Sequence, residues 1–292
     1  MKEINQIIYH SLETLGDTSS IKETTPISGG DINQAFYVRT KEQEYFVKTN
    51  KDVPEHFFRV EAKGLEYIRD TKAIRVPEVY HYDEPKGNEQ VALVMEWLKG
   101  EPTGDTEERL GRGVANMHKA YGEKFGFEED TFIGSLPQPN RLVEDWTTYY
   151  HDDRLVPQFN MAAEKGQLPL ERKQRLKKLM ERLPQWLTHE VKPSLLHGDL
   201  WGGNWMAGPN GDPCLIDPSV FYGDHAFEMA FTEVFGGYSE GFYRAYQEEM
   251  PLPENYEDIK PLYQLYYLLA HLNLFGEAYA GSVDRILKRY VG

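Results

Sequence analysis

The chain has 292 residues, 40% of them hydrophobic and 13% aromatic, enough for two sub-domains with a substantial core and too apolar for intrinsic disorder. Its 47 acidic and 32 basic residues give a formal charge of −15, which argues against nucleic acid or an anionic membrane as the main partner and would suit a cationic or amine-bearing substrate. One cysteine, Cys214, excludes an intramolecular disulfide and fits a reducing cytoplasm, and no run approaches the roughly 18 apolar residues of a membrane span.

Met1 to Leu15 carries Ile4, Ile7, Ile8, Leu12 and Leu15 among Glu3, Asn5, Gln6 and Glu13, and reads as an amphipathic helix and not a signal peptide. Thr25-Pro26-Ile27 then leads into Ser28-Gly29-Gly30-Asp31-Ile32-Asn33-Gln34 and the strand-like Ala35 to Arg39. The pair Gly29-Gly30 lets the backbone approach a ligand and offers amides to phosphate, although an ordinary hairpin turn has the same composition. Beyond the polar turn Lys41-Glu42-Gln43-Glu44, Tyr45-Phe46-Val47-Lys48 reads as a strand ending in lysine. In kinases a lysine on the third strand holds the ATP phosphates and pairs with a helical glutamate. Phe57, Phe58, Glu61, Leu65 and Ile68 recur at helical spacing, so Glu61 falls on an apolar face, where a carboxylate is costly unless paired. Lys48 is the partner this pattern offers, whereas Glu55 and Glu66 read as exposed charges.

Val76 to Tyr80 and Val91 to Trp97 read as two further strands, the second almost continuously apolar, as a central strand should be. An adenine ring could sit against Met95 and take backbone hydrogen bonds along Met95-Glu96-Trp97, after which Lys99-Gly100-Glu101-Pro102 crosses into a second lobe. Residues 1–97 thus form a mainly antiparallel sheet with one inserted helix. The remainder is mainly helical. Leu110, Val114 and Met117 mark a helix ending near His118, a histidine that the helix dipole favours for structural reasons. Leu142 to Phe159 and Leu170 to Leu187 mark two more.

The densest chemistry lies between the strand-like runs Ser194-Leu195-Leu196 and Trp205-Met206-Ala207, where Asp199 and Asn204 stand five positions apart. A second run, Pro213-Cys214-Leu215-Ile216, follows the hairpin signal Asn210-Gly211 and ends in Asp217. Phosphoryl transfer calls for a carboxylate that orients and deprotonates a hydroxyl, a second on Mg²⁺ and a carboxamide on a further Mg²⁺. Asp199, Asp217 and Asn204 supply one each, in the order of a kinase catalytic loop followed by its metal-binding aspartate. Gly, Asn and Asp also dominate plain turns, but a turn would not require the second aspartate at the end of the next strand. Downstream, Tyr222 to Ala230 reads as a helix capped by Asp224, from which Glu228 could buttress the loop by accepting its backbone amides or the His197 ring proton. Two more helices follow, around Phe242 to Tyr246 and from Tyr256 to Ala280.

Leu196-His197-Gly198-Asp199-Leu200-Trp201-Gly202-Gly203-Asn204, Ile216-Asp217-Pro218, Phe221-Tyr222-Gly223-Asp224, Phe235-Gly236-Gly237, Ser28-Gly29-Gly30-Asp31-Ile32 and Leu272-Asn273-Leu274-Phe275-Gly276 together resemble the fructosamine kinase (ketosamine kinase) family. The resemblance runs from about residue 25 to 280 and implies an α+β, bilobal, protein-kinase-like fold, with an ATP-binding lobe over 1–97 and a helical catalytic and substrate lobe over 98–292. It implies a cytoplasmic enzyme that uses ATP and Mg²⁺ to phosphorylate the sugar 3-hydroxyl of ketosamines, free or on a glycated lysine; the unstable product sheds its sugar, which is deglycation. Carried over by position, Asp199 is the base, Asn204 and Asp217 the metal ligands, and Lys48 with Glu61 the phosphate clamp. Trp201 is either a wall for the sugar or a core aromatic, and His271 and Asn273 either face the substrate or settle into the core. A kinase of another amine-bearing molecule, such as an aminoglycoside, and a catalytically silent nucleotide-binding protein are the alternatives. The intact set Lys48, Glu61, Asp199, Asn204 and Asp217 argues against silence. Oligomeric state and the preferred sugar stay open.

Overall fold

A computed structural model describes residues 2–28 and 32–292, so Gly29, Gly30 and Asp31 lie outside the described residues. In chain order the elements are α1 (Lys2–Thr14), β1 (Glu23–Ile27), β2 (Gln34–Arg39), β3 (Glu44–Lys51), α2 (Phe57–Asp70), β4 (Val79–Tyr82), β5 (Gln90–Glu96) and α3 (Thr106–His118). There follow β6 (Thr131–Ile133), β7 (Leu136–Gln138), α4 (Trp146–Tyr149), a π-helical turn (Tyr150–Leu155), α5 (Val156–Glu164), α6 (Leu170–Arg182) and β8 (Ser194–Leu196). The chain continues through β9 (Trp205–Ala207), β10 (Pro213–Leu215), β11 (Phe221–Gly223), α7 (His225–Thr232), α8 (Glu240–Glu249), α9 (Tyr256–Phe275) and α10 (Ala280–Val291). Two compact units result, one of residues 1–110 with 205–218 and the other of 111–204 with 219–292. Among the described residues no helix is long and apolar enough to cross a membrane.

The first unit is built on a five-stranded antiparallel sheet in the order β1-β2-β3-β5-β4, with α2 inserted between β3 and β4. The period of two along its strands sorts the side chains cleanly. Phe36, Val38, Tyr45, Val47, Ala92 and Val94 share one face, and α1 covers it with Ile8 and Leu12. Each of those two helix residues is fully removed from water, worth about 2 kcal/mol apiece. The register of β2, β3 and β5 puts Ala35 opposite Lys48, Tyr37 opposite Phe46 and Phe46 opposite Met95, so these residues share the other face.

β4 starts at Val79 and runs to Tyr82, three residues later than the sequence pattern suggests. Pro77 has no amide to give the ladder, which keeps the chain before it out of the sheet. Arg75, just upstream, instead accepts the Leu215 amide at 2.9 Å and so bonds the β9–β10 hairpin to this unit. Asn210 and Gly211 both take positive φ, 61° and 71°, as an Asn-Gly hairpin connection requires. The turn is held by Thr106 Oγ1, which donates to the Gly211 carbonyl at 2.9 Å, and by Arg109, 2.6 Å from the Asp212 carboxylate.

In the second unit β8 pairs antiparallel with β11, Leu196 opposite Phe221 and Ser194 opposite Gly223, over a core of aromatic rings. Trp146, Tyr150, Phe227 and Tyr263 meet edge to face or stacked at centroid distances of 5.4–6.1 Å. The expected helix over Leu142 to Phe159 is broken into α4, the π-helical turn and α5. Its start is delayed to Trp146, where Asp145 caps by accepting the Thr148 amide at 2.6 Å. Pro157, which lacks an amide for the regular helical bond, is the second residue of α5, two positions after the π-helical turn ends. The single helix read from Tyr256 to Ala280 also needs correction. α9 stops at Phe275 because Gly276 turns to φ 82°, and a separate amphipathic α10 follows.

Candidate active site

In the first unit the lysine of β3 gathers two carboxylates. Lys48 is 4% exposed, with Nζ 2.7 Å from Glu61 Oε1 on α2 and 2.6 Å from Asp217 Oδ1 beyond β10. Burial alone would push the lysine pKa down, but Asp217 and Glu61 outweigh it and hold the ammonium well above its ordinary value. Lys48 is therefore a fixed positive charge. Burial pushes the Glu61 carboxyl up, and the Lys48 ion pair works against that rise. Glu55 and Glu66 are exposed, as their spacing predicts.

Asp217 takes φ 57°, in the left-handed region that non-glycine residues visit sparingly. Its side chain is 40% exposed, with one carboxylate oxygen on Lys48. Of the residues expected along an adenine ring, Met95 is buried on the Lys48 face of the sheet, opposite Phe46. Trp97 packs on Tyr37 and Phe46 at 4.7 and 6.4 Å. Glu96 is committed elsewhere: its carboxylate pairs with Arg75 and its amide donates to the Glu78 carbonyl at 2.8 Å, so that amide is not available to a base.

The second unit carries the loop that leaves β8. Gly198 has φ 86°, and a Cβ there would overlap the carbonyl oxygen of Ser219, so both conformation and space require glycine. Glu228 on α7 accepts the amide of His197 at 2.9 Å and that of Gly198 at 2.5 Å. The imidazole bonded to the same carboxylate is that of His118, 2.7 Å away, a partner that the sequence reading did not foresee. Tyr267 closes the other side of the loop by donating its hydroxyl to the Gly198 carbonyl at 3.1 Å. Full burial would raise the Glu228 pKa, but the bond from His118, the neighbouring histidines and the Gly198 amide hold it below the ordinary glutamate value. His118 Nδ1 lies 2.7 Å from the Tyr246 hydroxyl, which in turn lies 2.9 Å from His225 Nδ1. Burial pushes His225 down to about 4, so that ring is neutral at pH 7.

On the loop itself, Asn204 is buried and its Nδ2 donates to the Asp199 carbonyl at 2.8 Å and to Asp199 Oδ2 at 3.0 Å. The five-residue spacing thus brings the carboxamide onto the carboxylate. The Asn204 amide donates to the Trp201 carbonyl at 2.9 Å, closing a turn from which Leu200 points into the core and Trp201 stands 37% exposed. Trp201 is therefore not a core aromatic. His271 is partly buried, with Nδ1 2.8 Å from the Tyr267 carbonyl and the rings of Phe235, Tyr279 and Phe275 around it at 4.6–5.6 Å. Asn273 belongs to the interior: it is 3% exposed and its Nδ2 donates to Gln158, joining α9 to α5.

Residues 3–292 match the family model for fructosamine kinase. The chain is 41% identical over 273 residues to the probable ketoamine kinase of Lactiplantibacillus plantarum, covering 93% of this chain and 95% of that protein. It is 35% identical over 282 residues to the chloroplastic protein-ribulosamine 3-kinase of Arabidopsis thaliana, covering 95% and 85%. A solved structure of a protein assigned as a fructosamine-3-kinase from Haemophilus somnus 129PT aligns with a TM-score of 0.87 at 27% identity, over 100% of this chain and 97% of that one. Choline kinase LicA from Streptococcus pneumoniae aligns with a TM-score of 0.65 at 16% identity, over 98% of both, which shows the fold alone: α+β, bilobal and protein-kinase-like. With the family model matched from residue 3 to residue 292 and relatives aligned over most of their own length, the chain belongs to the fructosamine kinase family and is an ATP-dependent kinase.

Proposed function

We propose that the chain transfers the γ-phosphoryl group of Mg²⁺-bound ATP to the sugar 3-hydroxyl of a ketosamine, and that the unstable product sheds its sugar, freeing the amine. The names of its relatives, a ketoamine kinase and a ribulosamine 3-kinase, support this acceptor and this position. The observation that carries the chemistry is the buried, charged Lys48 between Glu61 and Asp217. A desolvated cation on rigid elements is suited to phosphate oxygens, and one carboxylate on each side fixes where it points.

In this reading residues 1–97 carry the nucleotide, with Lys48 donating to its phosphates, Glu61 aiming Lys48, Met95 and Trp97 flanking the base, and the amides of Gly29 and Gly30 serving the phosphates. Residues 98–292 carry the catalytic loop and the acceptor. Asp199 orients the sugar hydroxyl and accepts its proton, and the Asn204 carboxamide on Oδ2 fixes the carboxylate rotamer for that task. Trp201 offers an aromatic wall to the sugar, and His271 faces the substrate. Each unit keeps a donor of the kind Mg²⁺ takes: in the first, Asp217 has an oxygen beyond the one on Lys48, and in the second, Asn204, its Nδ2 committed to Asp199, has its amide oxygen. Mg²⁺ held with the nucleotide would neutralise charge on its phosphates.

The test is ADP release with ribulosyl-lysine, fructosyl-lysine and an aminoglycoside side by side, with Asp199→Asn as the blank. Turnover of the ketosamines alone is expected, with phosphate on the 3-oxygen by ³¹P NMR. Asp199→Asn should lower kcat by roughly 10² to 10⁴ while ATP binding persists. Turnover of the aminoglycoside alone would overturn the acceptor, and an unchanged Asp199→Asn would overturn the base.

A further inference from the structure

The loop sequence Trp201-Gly202-Gly203-Asn204 holds two glycines that the chemistry so far leaves unexplained. Neither has a positive φ, so the backbone conformation does not demand glycine at either position. Their surroundings differ sharply. A Cβ on Gly202 would meet nothing within 4 Å. A Cβ on Gly203 would overlap Cη2 of the Trp201 indole and lie 2.5 Å from Cζ2 and 2.8 Å from Cζ3. The six-membered ring of Trp201 therefore lies directly on the bare Cα of Gly203. All three close atoms are at the outer end of one partly exposed side chain, and none is backbone.

An indole with more than a third of its surface in water has many rotamers open to it, and ordering it costs entropy. Contact with the Gly203 backbone offsets that cost and leaves one face of the ring presented outward. We infer that Gly203 is a positioning residue: it is the seat of the Trp201 indole, and it presents that ring as a preset platform for the apolar C–H face of the sugar. The inference rests on the reading of Trp201 as a substrate wall. It also separates the two glycines, since only the second is required by the seat.

Because the clash falls on a mobile side chain, Gly203→Ala should evict the indole and leave the fold intact. That makes it a clean probe. With 5-fluorotryptophan incorporated, the chain gives five ¹⁹F resonances, one per tryptophan, and Trp201→Phe assigns that of Trp201. Gly203→Ala should shift and broaden the Trp201 resonance alone, while Gly202→Ala leaves it in place. In steady-state kinetics Gly203→Ala should raise the KM for the ketosamine about tenfold, the scale of one aromatic stacking contact, with the KM for ATP unchanged. In a Trp201→Ala background the same substitution should add nothing further. An unmoved Trp201 resonance would overturn the seat. A moved resonance with wild-type ketosamine kinetics would overturn its role in the reaction, as would a full effect of Gly203→Ala in the Trp201→Ala background. Wild-type kinetics for Trp201→Ala itself would overturn the wall reading, and with it the kinetic half of the inference, while the resonance still decides the seat.

Discussion

Substituting Glu228 by glutamine changes one oxygen and no volume, yet it should disable the loop that carries Asp199. In the native site Oε2 accepts from the His197 amide and His118 Nε2, and Oε1 accepts from the Gly198 amide. Glutamine has one acceptor, and its better orientation puts that oxygen in the Oε2 position. The NH₂ group then faces the Gly198 N–H, donor against donor. The loss of one charge-assisted hydrogen bond, about 1.5–3 kcal/mol, adds to about 1–3 kcal/mol for a buried amide left unpaired. A destabilisation of about 2.5–6 kcal/mol follows. It should appear as a lower urea midpoint and, because Gly198 adjoins Asp199, as a fall in kcat of at least about tenfold with little change in the KM for ATP. A glutamine variant within about 0.5 kcal/mol of wild type and with unchanged kcat would refute the view that Glu228 holds the loop.

Asp217→Asn should keep the fold, since asparagine tolerates the left-handed backbone at 217, but should weaken Mg²⁺·ATP by roughly tenfold or more in calorimetry; equal affinity would count against a metal role. Cys214 is fully buried and burial pushes its thiol up to about 11, so the native protein at pH 7.5 should resist iodoacetamide and become labelled only on unfolding, as read by mass spectrometry. Rapid native labelling would contradict the burial. His225, held down to about 4 in the fold by burial, takes up its proton near 6.5 when unfolded, so its contribution to stability is complete above pH 6.5 and is lost as pH falls from there toward 4. Urea midpoints measured across that window should fall less steeply for His225→Gln; identical slopes would remove His225 from the acid sensitivity.

What the sequence makes legible is local. Alternation in β3 and the 3.6-residue spacing in α2 place Lys48 and Glu61 where they can pair, because both periods are fixed by backbone geometry. Asp199 and Asn204 share one loop, so their contact needs no long-range information. The bond from His118 to Glu228 joins residues far apart in sequence, and no spacing rule reaches across such a distance. The interior position of Asn273 likewise depends on where α5 packs. α10 is a different case, since Val283, Ile286, Leu287 and Val291 recur at helical spacing and all are buried; this signal is local and lies in the sequence beyond Ala280, where the last expected helix ends.

The β9–β10 hairpin has a consequence for how the chain is made. The first compact unit is discontinuous, needing residues 205–218 as well as 1–110. Arg75 gains its bond from Leu215, and Thr106 and Arg109 gain theirs from Gly211 and Asp212, only after some hundred intervening residues have been added. During synthesis from the N-terminus the five strands of the sheet are all made by residue 96, but the unit around them waits, incomplete, with Asp217 beyond β10 still unmade and Lys48 lacking one of its two counter-ions. Contacts of such large sequence separation close late and at an entropic cost. Vectorial folding thus has to carry the second unit's loop-bearing segment past the ribosome exit before the phosphate clamp of the first unit can be finished.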